Sequence, residues 1–146
     1  MSTVVPFATT AVVRETCLCL HTQRAARALG RRFDDALRPL GLTSGQFSLL
    51  MSLNRPEPAP MASVARLLAM DRTTLTAAVK VLERRGLATV AVDPKDRRGR
   101  LLALTEAGRA SLVAAVPVWR ETHAAVDAAL GGVDADALRT ALRALG

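Results

Sequence analysis

A mainly α-helical fold with one small β wing is what the sequence predicts, and three observations carry that expectation. Half of the residues are hydrophobic and only 3% are aromatic, so the core has to be built from Leu, Val and Ala, a composition that suits closely packed helices. Apolar residues recur at helical spacing along most of the chain, with interruptions where prolines and glycines cluster. Between Leu87 and Leu104 the pattern changes to two short β-prone runs around a basic, turn-forming tip. With 146 residues, the chain can close one structural domain with a real core rather than two.

Positions 1–10 lack periodicity and contain Pro6, which reads as a flexible arm. Positions 11–40 read as one long first helix, with Leu18, Ala25, Leu29, Phe33, Ala36 and Leu40 at helical spacing and Pro39 and Gly41 as its stop. Thr43 and Gln46 have the spacing of a capping box, in which each side chain satisfies the other residue's unpaired amide. The second helix carries Phe47, Leu49, Leu50 and Leu53 and ends at Pro56, Pro58 and Pro60.

Met61 to about Leu68 forms a third helix with Val64, Leu67 and Leu68 inward. Asp71 caps a fourth, whose core face is Leu75, Ala78, Val79 and Leu82 and whose stop is Gly86. Leu87–Val92 and Arg100–Leu104 are strands, and Asp93–Gly99 is the tip between them. Thr105 caps a long helix on which Leu112, Val116, Trp119, His123, Val126 and Leu130 follow a four-three spacing, a narrow seam of the coiled-coil kind. Pro117 should bend it, Gly131 and Gly132 end it, and Asp134 caps a last short helix.

Helix, turn, helix and basic ribbon in succession over Met61–Arg100 make a winged helix-turn-helix. Such an arrangement sets the first turn of its second helix against base edges in the major groove, while the ribbon reaches phosphates or the neighbouring minor groove. Lys and Arg number 20 against 13 acidic residues, a net charge of +7, which is the footprint of a polyanion binder. On the fourth helix Arg72, Thr73, Thr76, Ala77 and Lys80 are left on the exposed face. Arg72 suits a guanine edge, Ala77 and the Thr methyls suit thymine methyl groups, and Arg97 suits a narrow A/T-rich minor groove. Arg98 is expected to pair with Asp96 or Asp93 and stiffen the tip. No run reaches the ~18 apolar residues of a membrane span, and no secretory signal opens the chain. A cytoplasmic protein without a membrane partner is therefore expected.

The motifs Gly41-Leu-Thr-Ser-Gly-Gln-Phe-Ser-Leu-Leu50, Asp71-Arg-Thr-Thr-Leu-Thr76, Leu82-Glu-Arg-Arg-Gly-Leu87, Asp93-Pro-Lys-Asp-Arg-Arg98 and Leu104-Thr-Glu-Ala-Gly108 resemble, in order and spacing, the MarR family of bacterial transcription regulators. The likeness covers roughly Cys17 to Leu130. It implies a homodimer whose interface is formed by the first helix and the last two, at positions 11–40 and 105–146, with positions 41–104 as the DNA-binding region. The seam of Leu112, Val116, Trp119, His123, Val126 and Leu130 then becomes part of the dimer interface. The implied partner is double-stranded DNA carrying a palindromic operator, commonly bound to block transcription. The recognition role falls on Arg72, Thr73, Thr74 and Thr76, with Ala77 and Lys80 beside them, and the wing role on Asp96, Arg97 and Arg98, with Lys95. The family often has a basic or long polar side chain where Ala77 stands, so readout here is expected to be less Arg-driven.

The resemblance also implies a pocket beside the first helix for a small-molecule effector, often an aromatic carboxylate. Arg14, Cys17 and His21 are spaced three and four apart and would share one helical face. Arg14 can hold a carboxylate, His21 can bond a ring substituent, and Trp119 can add a wall. Taken singly, each also has a packing role: Cys17 in the core, His21 at an interface, Trp119 as an anchor. A thiol sensor built on Cys17, beside the cations at Arg14 and His21, is the alternative. A Cys17–Cys19 disulfide is not expected, because helical residues two apart point about 200° from each other. Two Cys and two His match no metal-site spacing, no glycine-rich phosphate loop is present, and neither a metal, a cofactor nor an enzyme activity is expected. The rival of another class is an architectural protein that binds DNA by charge alone.

Overall fold

Prolines, glycines and side-chain caps set the element boundaries, which a computed structural model describes for residues 3–146. The helices are α1 (Phe7–Thr16), α2 (Leu18–Leu37), α3 (Ser44–Ser52), α4 (Met61–Leu68), α5 (Arg72–Arg84), α6 (Glu106–Ala129) and α7 (Ala135–Leu145), with a 3-10 turn at Arg38–Leu40. The strands are β1 (Ala59–Pro60), β2 (Ala88–Asp93) and β3 (Asp96–Leu104). The Thr43–Gln46 capping box forms with both hydrogen bonds at 3.1 Å. Asp71, Thr105 and Asp134 each cap the helix that follows.

The N-terminal region departs from the expectation twice. Helix α1 begins at Phe7, inside the expected arm, because Pro6 starts a helix rather than preventing one: its carbonyl accepts the Thr9 amide at 3.0 Å. Positions 1 and 2 of that arm lie outside the described residues. The expected single first helix is also two helices, broken at Cys17, whose backbone is extended at φ −70°, ψ 108°. The Cys17 thiol accepts the Leu20 amide at 3.4 Å and so does the work of a Ser or Asp N-cap. The 200° argument against a Cys17–Cys19 bond presumed a continuous helix, and it does not hold at this break.

The sheet runs β1-β3-β2, antiparallel throughout, with Leu102 at its centre facing Ala59 on one side and Val90 on the other. Strand β1 was not anticipated; Pro60 is accommodated there because an edge strand can spare a ladder N–H. The tip is shorter than Asp93–Gly99. Asp93 pairs with Asp96 while Val92 pairs with Arg100, so Arg97, Arg98 and Gly99 bulge from β3. The Asp93 and Asp96 carboxylates turn back onto the amides of Lys95, at 2.9 Å, and Arg98, at 3.0 Å. Among the described residues no ion pair joins the Arg98 guanidinium to either aspartate, contrary to the expectation.

The core gathers Leu37, Leu50, Val64, Leu75, Leu82 and Leu102 from the end of α2, from α3–α5 and from β3. Leu67 is an exception to the inward face expected of α4: it is 63% exposed. The stripe on α6 divides along its length. Leu112 is 5% exposed within the chain's own core, Val116 and Trp119 pack against that core, and His123 lies 6.4 Å from the Phe33 ring on α2. The four-three stripe faces inward there because this half of α6 lies against α2 and α3. Val116, Trp119, His123, Val126 and Leu130 are all partly exposed, but Val126 and Leu130 do not pack against the core cluster. Helices α1 and α7 have no buried residue at all.

Candidate nucleic-acid interface

The first turn of α5 is built by its cap. Asp71 accepts the Thr74 amide and the Thr74 hydroxyl, both at 2.8 Å, and these bonds, the amide first, hold its carboxyl below the usual value. One turn on, the Thr76 hydroxyl donates to the Arg72 carbonyl at 2.7 Å and lies 3.7 Å from the Met61 sulfur. Two of the threonines expected to meet bases therefore have their hydroxyls engaged within the protein. Arg72, Thr73, Ala77 and Lys80 remain exposed on the outer face.

Between α5 and the wing lies a groove of about 310 Å³, lined by Arg72, Thr76, Lys80 and Glu83 on the helix side and by Val90, Arg98 and Arg100 on the wing side. Arg100 is oriented by two bonds at 3.1 Å to the carbonyls of Arg97 and Gly99. Four cations thus face one groove against a single carboxylate, an arrangement that attracts and aligns a phosphate backbone. Of the residues expected at this interface, Arg72, Thr76, Lys80 and Arg98 are brought together, whereas Lys95 and Arg97 stand outside the groove toward the ribbon's end. Arg100 and Glu83 were missed as site residues; the only trace of Arg100 in the sequence is its membership of the basic run.

A second cleft, of about 460 Å³, opens between α3, α4 and α6. Its walls are Phe47, Ser48, Met51 and Ser52 of α3, Leu67 of α4, and Val116, Trp119 and Arg120 of α6. The Phe47 and Trp119 rings stack at 6.2 Å and 18°, and His123 follows Trp119 at 4.9 Å. Of the expected effector residues only Trp119 lines this cleft. Arg14 pairs with Glu15 at 3.5 Å on α1, while His21 Nδ1 lies 2.8 Å from the Cys17 carbonyl at the start of α2. The break at Cys17 takes Arg14 out of the helical register that Cys17 and His21 still share, the His21 amide donating to the Cys17 carbonyl at 3.1 Å.

A model of the MarR family matches residues 40–99, from the end of the 3-10 turn into the first residues of β3. The M. tuberculosis transcriptional regulator MosR, solved in complex with DNA, aligns with a TM-score of 0.81 and 41% identity over 89% of this chain and 93% of that one. The transcriptional activatory protein BadR of Rhodopseudomonas palustris is 37% identical over 63% of this chain and 54% of its own length. The transcriptional repressor NicR of Pseudomonas putida is 38% identical over 55% of this chain and 51% of its own. The chain therefore spans about half the length of these two curated relatives. The motif order, the winged architecture, the family match and the near full-length likeness to MosR together establish that this chain belongs to the MarR family.

Proposed function

We propose that the protein is a DNA-binding transcription regulator, a repressor and not an enzyme, that sits as a homodimer on a palindromic operator and is released by a small-molecule effector. The groove in which Arg72, Lys80, Arg98 and Arg100 converge carries this reading, because a cationic groove beside an exposed helix N-terminus fits phosphates and base edges at once. The exposed apolar residues of α1 and α7, among them Val12, Val13 and Leu142, support a second copy as their cover. Two copies would set the recognition helices about one DNA turn apart, ~34 Å. The cleft at Trp119 suits an aromatic carboxylate, with the stacked rings for its plane and the Arg120 guanidinium for its charge.

The test is selection of bound genomic fragments followed by titration of the preferred fragment and its mutated versions. Arg72→Ala should lose about 1–3 kcal/mol on the preferred sequence and flatten discrimination, whereas Arg97→Ala should weaken all sequences alike and lower the salt slope by about 1. Identical profiles for the two variants would sink this division. A preference above ~10³ over random DNA separates a regulator from an architectural protein.

The thiol that caps α2 favours a second reading, in which the operator complex responds to a hydroperoxide. The Cys17 thiolate would attack the peroxide, the O–O bond would break, and a sulfenic acid would form with release of water or an alcohol. Cys17→Ser keeps a capping oxygen and should abolish any peroxide response while leaving operator binding intact; an unchanged response excludes this reading.

A further inference from the structure

The tip of the wing is held without the Arg98–aspartate ion pair that the sequence suggests, none being present among the described residues. Arg100 supplies the substitute. Its Nη1 donates to the carbonyls of Arg97 and Gly99, both at 3.1 Å, while the Asp96 carboxylate accepts the Arg98 amide at 3.0 Å. The peptide group between Arg97 and Arg98 is therefore gripped at both ends, its oxygen by a cation and its N–H by an anion, and both bonds are of the stronger, charge-assisted kind. Gly99 makes room for the fold-back: a Cβ there would lie 3.2 Å from the Asp96 carbonyl oxygen and 3.4 Å from the Asp93 Cβ. On the other side of the tip the Asp93 carboxylate accepts the Lys95 amide at 2.9 Å. With the backbone bonded in this way, the Arg98 guanidinium is left clear of the aspartates and lines the groove beside α5.

We propose that Arg100 is a positioning residue of the wing: by fixing the carbonyls on either side of Arg98 it aims the Arg98 guanidinium into the groove, where a phosphate of the bound duplex would lie. This inference rests on the DNA-binding reading above. A loop already held in the shape it has on its target loses less conformational freedom on binding, and the gain appears as affinity without any added contact. A loose tip would leave Arg98 many arrangements of which few reach the phosphate. Arg100 lines the same groove, so removing it takes away a cation as well as the clamp. A double-mutant cycle separates the two roles, because charges that act independently add, whereas a residue acting through another does not.

The cycle uses the full chain and its selected genomic fragment, with Arg98→Ala, Arg100→Ala and the double variant, and reads affinity by fluorescence anisotropy. Both positions are exposed, so each variant should fold, which thermal melts check. Arg98→Ala should weaken binding about 10-fold in the parent background and less than about 2-fold in the Arg100→Ala background. In the DNA-free protein, 15N relaxation should show the Arg98 amide order parameter falling from about 0.85 to below about 0.6 on Arg100→Ala. Additive losses, or an Arg98 order parameter that Arg100→Ala leaves in place, overturn the positioning role while the DNA-binding reading stands. A parent protein with no preferred fragment overturns that reading and this inference with it.

Discussion

The winged core and the helices that flank it obey different rules of completion. Between Leu37 and Ala115 nearly every large apolar side chain finds a neighbour in the same chain, and Leu50, Val64, Leu75, Leu82 and Leu102 have no exposed surface. In α1 and α7 no residue is buried, although Phe7 and Leu145 are 78% and 63% exposed. The first region carries its own stabilisation, since a buried leucine contributes roughly 2–3 kcal/mol. The second has a side-chain cap only at Asp134, and its apolar face stays exposed among the described residues.

The largest expected effect breaks the core side of this contrast. Leu50→Ala should cost about 4 kcal/mol in urea unfolding, independent of protein concentration. Gly108→Ala should follow at about 3 kcal/mol, because a Cβ at this position would sit 2.0 Å from the Leu87 carbonyl oxygen and force α6 off the link between α5 and β2. On the other side, Leu142→Asp should change the isolated chain by less than about 0.5 kcal/mol. It should instead abolish the rise of melting temperature with concentration that a self-associating protein shows; a concentration-independent melt of the parent would remove the contrast.

A smaller effect concerns the seam where the two regions meet. Asp34 on α2 accepts the Ser44 amide at the start of α3 at 2.6 Å, and that bond, followed by the Ser44 hydroxyl, holds its carboxyl below the ordinary 3.8. A depressed folded value means the stabilisation is present above pH 3.8 and is lost as pH falls through the lowered value. Asp34→Asn should therefore flatten the acid limb of the stability profile below pH 3.8, as read by thermal melts across that range. The smallest effect is a gain: Ala69→Gly relieves a left-handed alanine between α4 and α5 and should add about 0.5 kcal/mol in the same unfolding assay.

Legibility in the sequence followed the range of each interaction. Caps at Thr43, Asp71, Thr105 and Asp134, and the stop at Gly86, act within four residues and were readable from spacing alone. Strand β1 exists only through its pairing with β3, some 40 positions away, and nothing in Ala59–Pro60 announces it. The break at Cys17 has no proline or glycine to mark it, only a thiol in a capping role. The stripe from Leu112 to Leu130 was periodic as expected, but period states which residues share a face and not which neighbour the face meets. The Trp119 cleft draws on three helices, so Trp119 was named from the sequence while its neighbours, Leu67 among them, became visible only in space.

The fit at Gly108 has a mechanical corollary. The Thr105 hydroxyl donates to the Gly86 carbonyl at 2.6 Å, the Thr105 amide donates to the Leu87 carbonyl at 3.1 Å, and Gly108 lets α6 close on the same spot. Three attachments within one turn make a pivot with almost no play. From it α6 extends over 24 residues, about 36 Å at 1.5 Å per residue. A swing of about 5° at the pivot would move the distal end by about 3 Å along that arm. The ratio also works in reverse: clamping the distal end to within an ångström would fix the aim of α5 and its ribbon to about 2°.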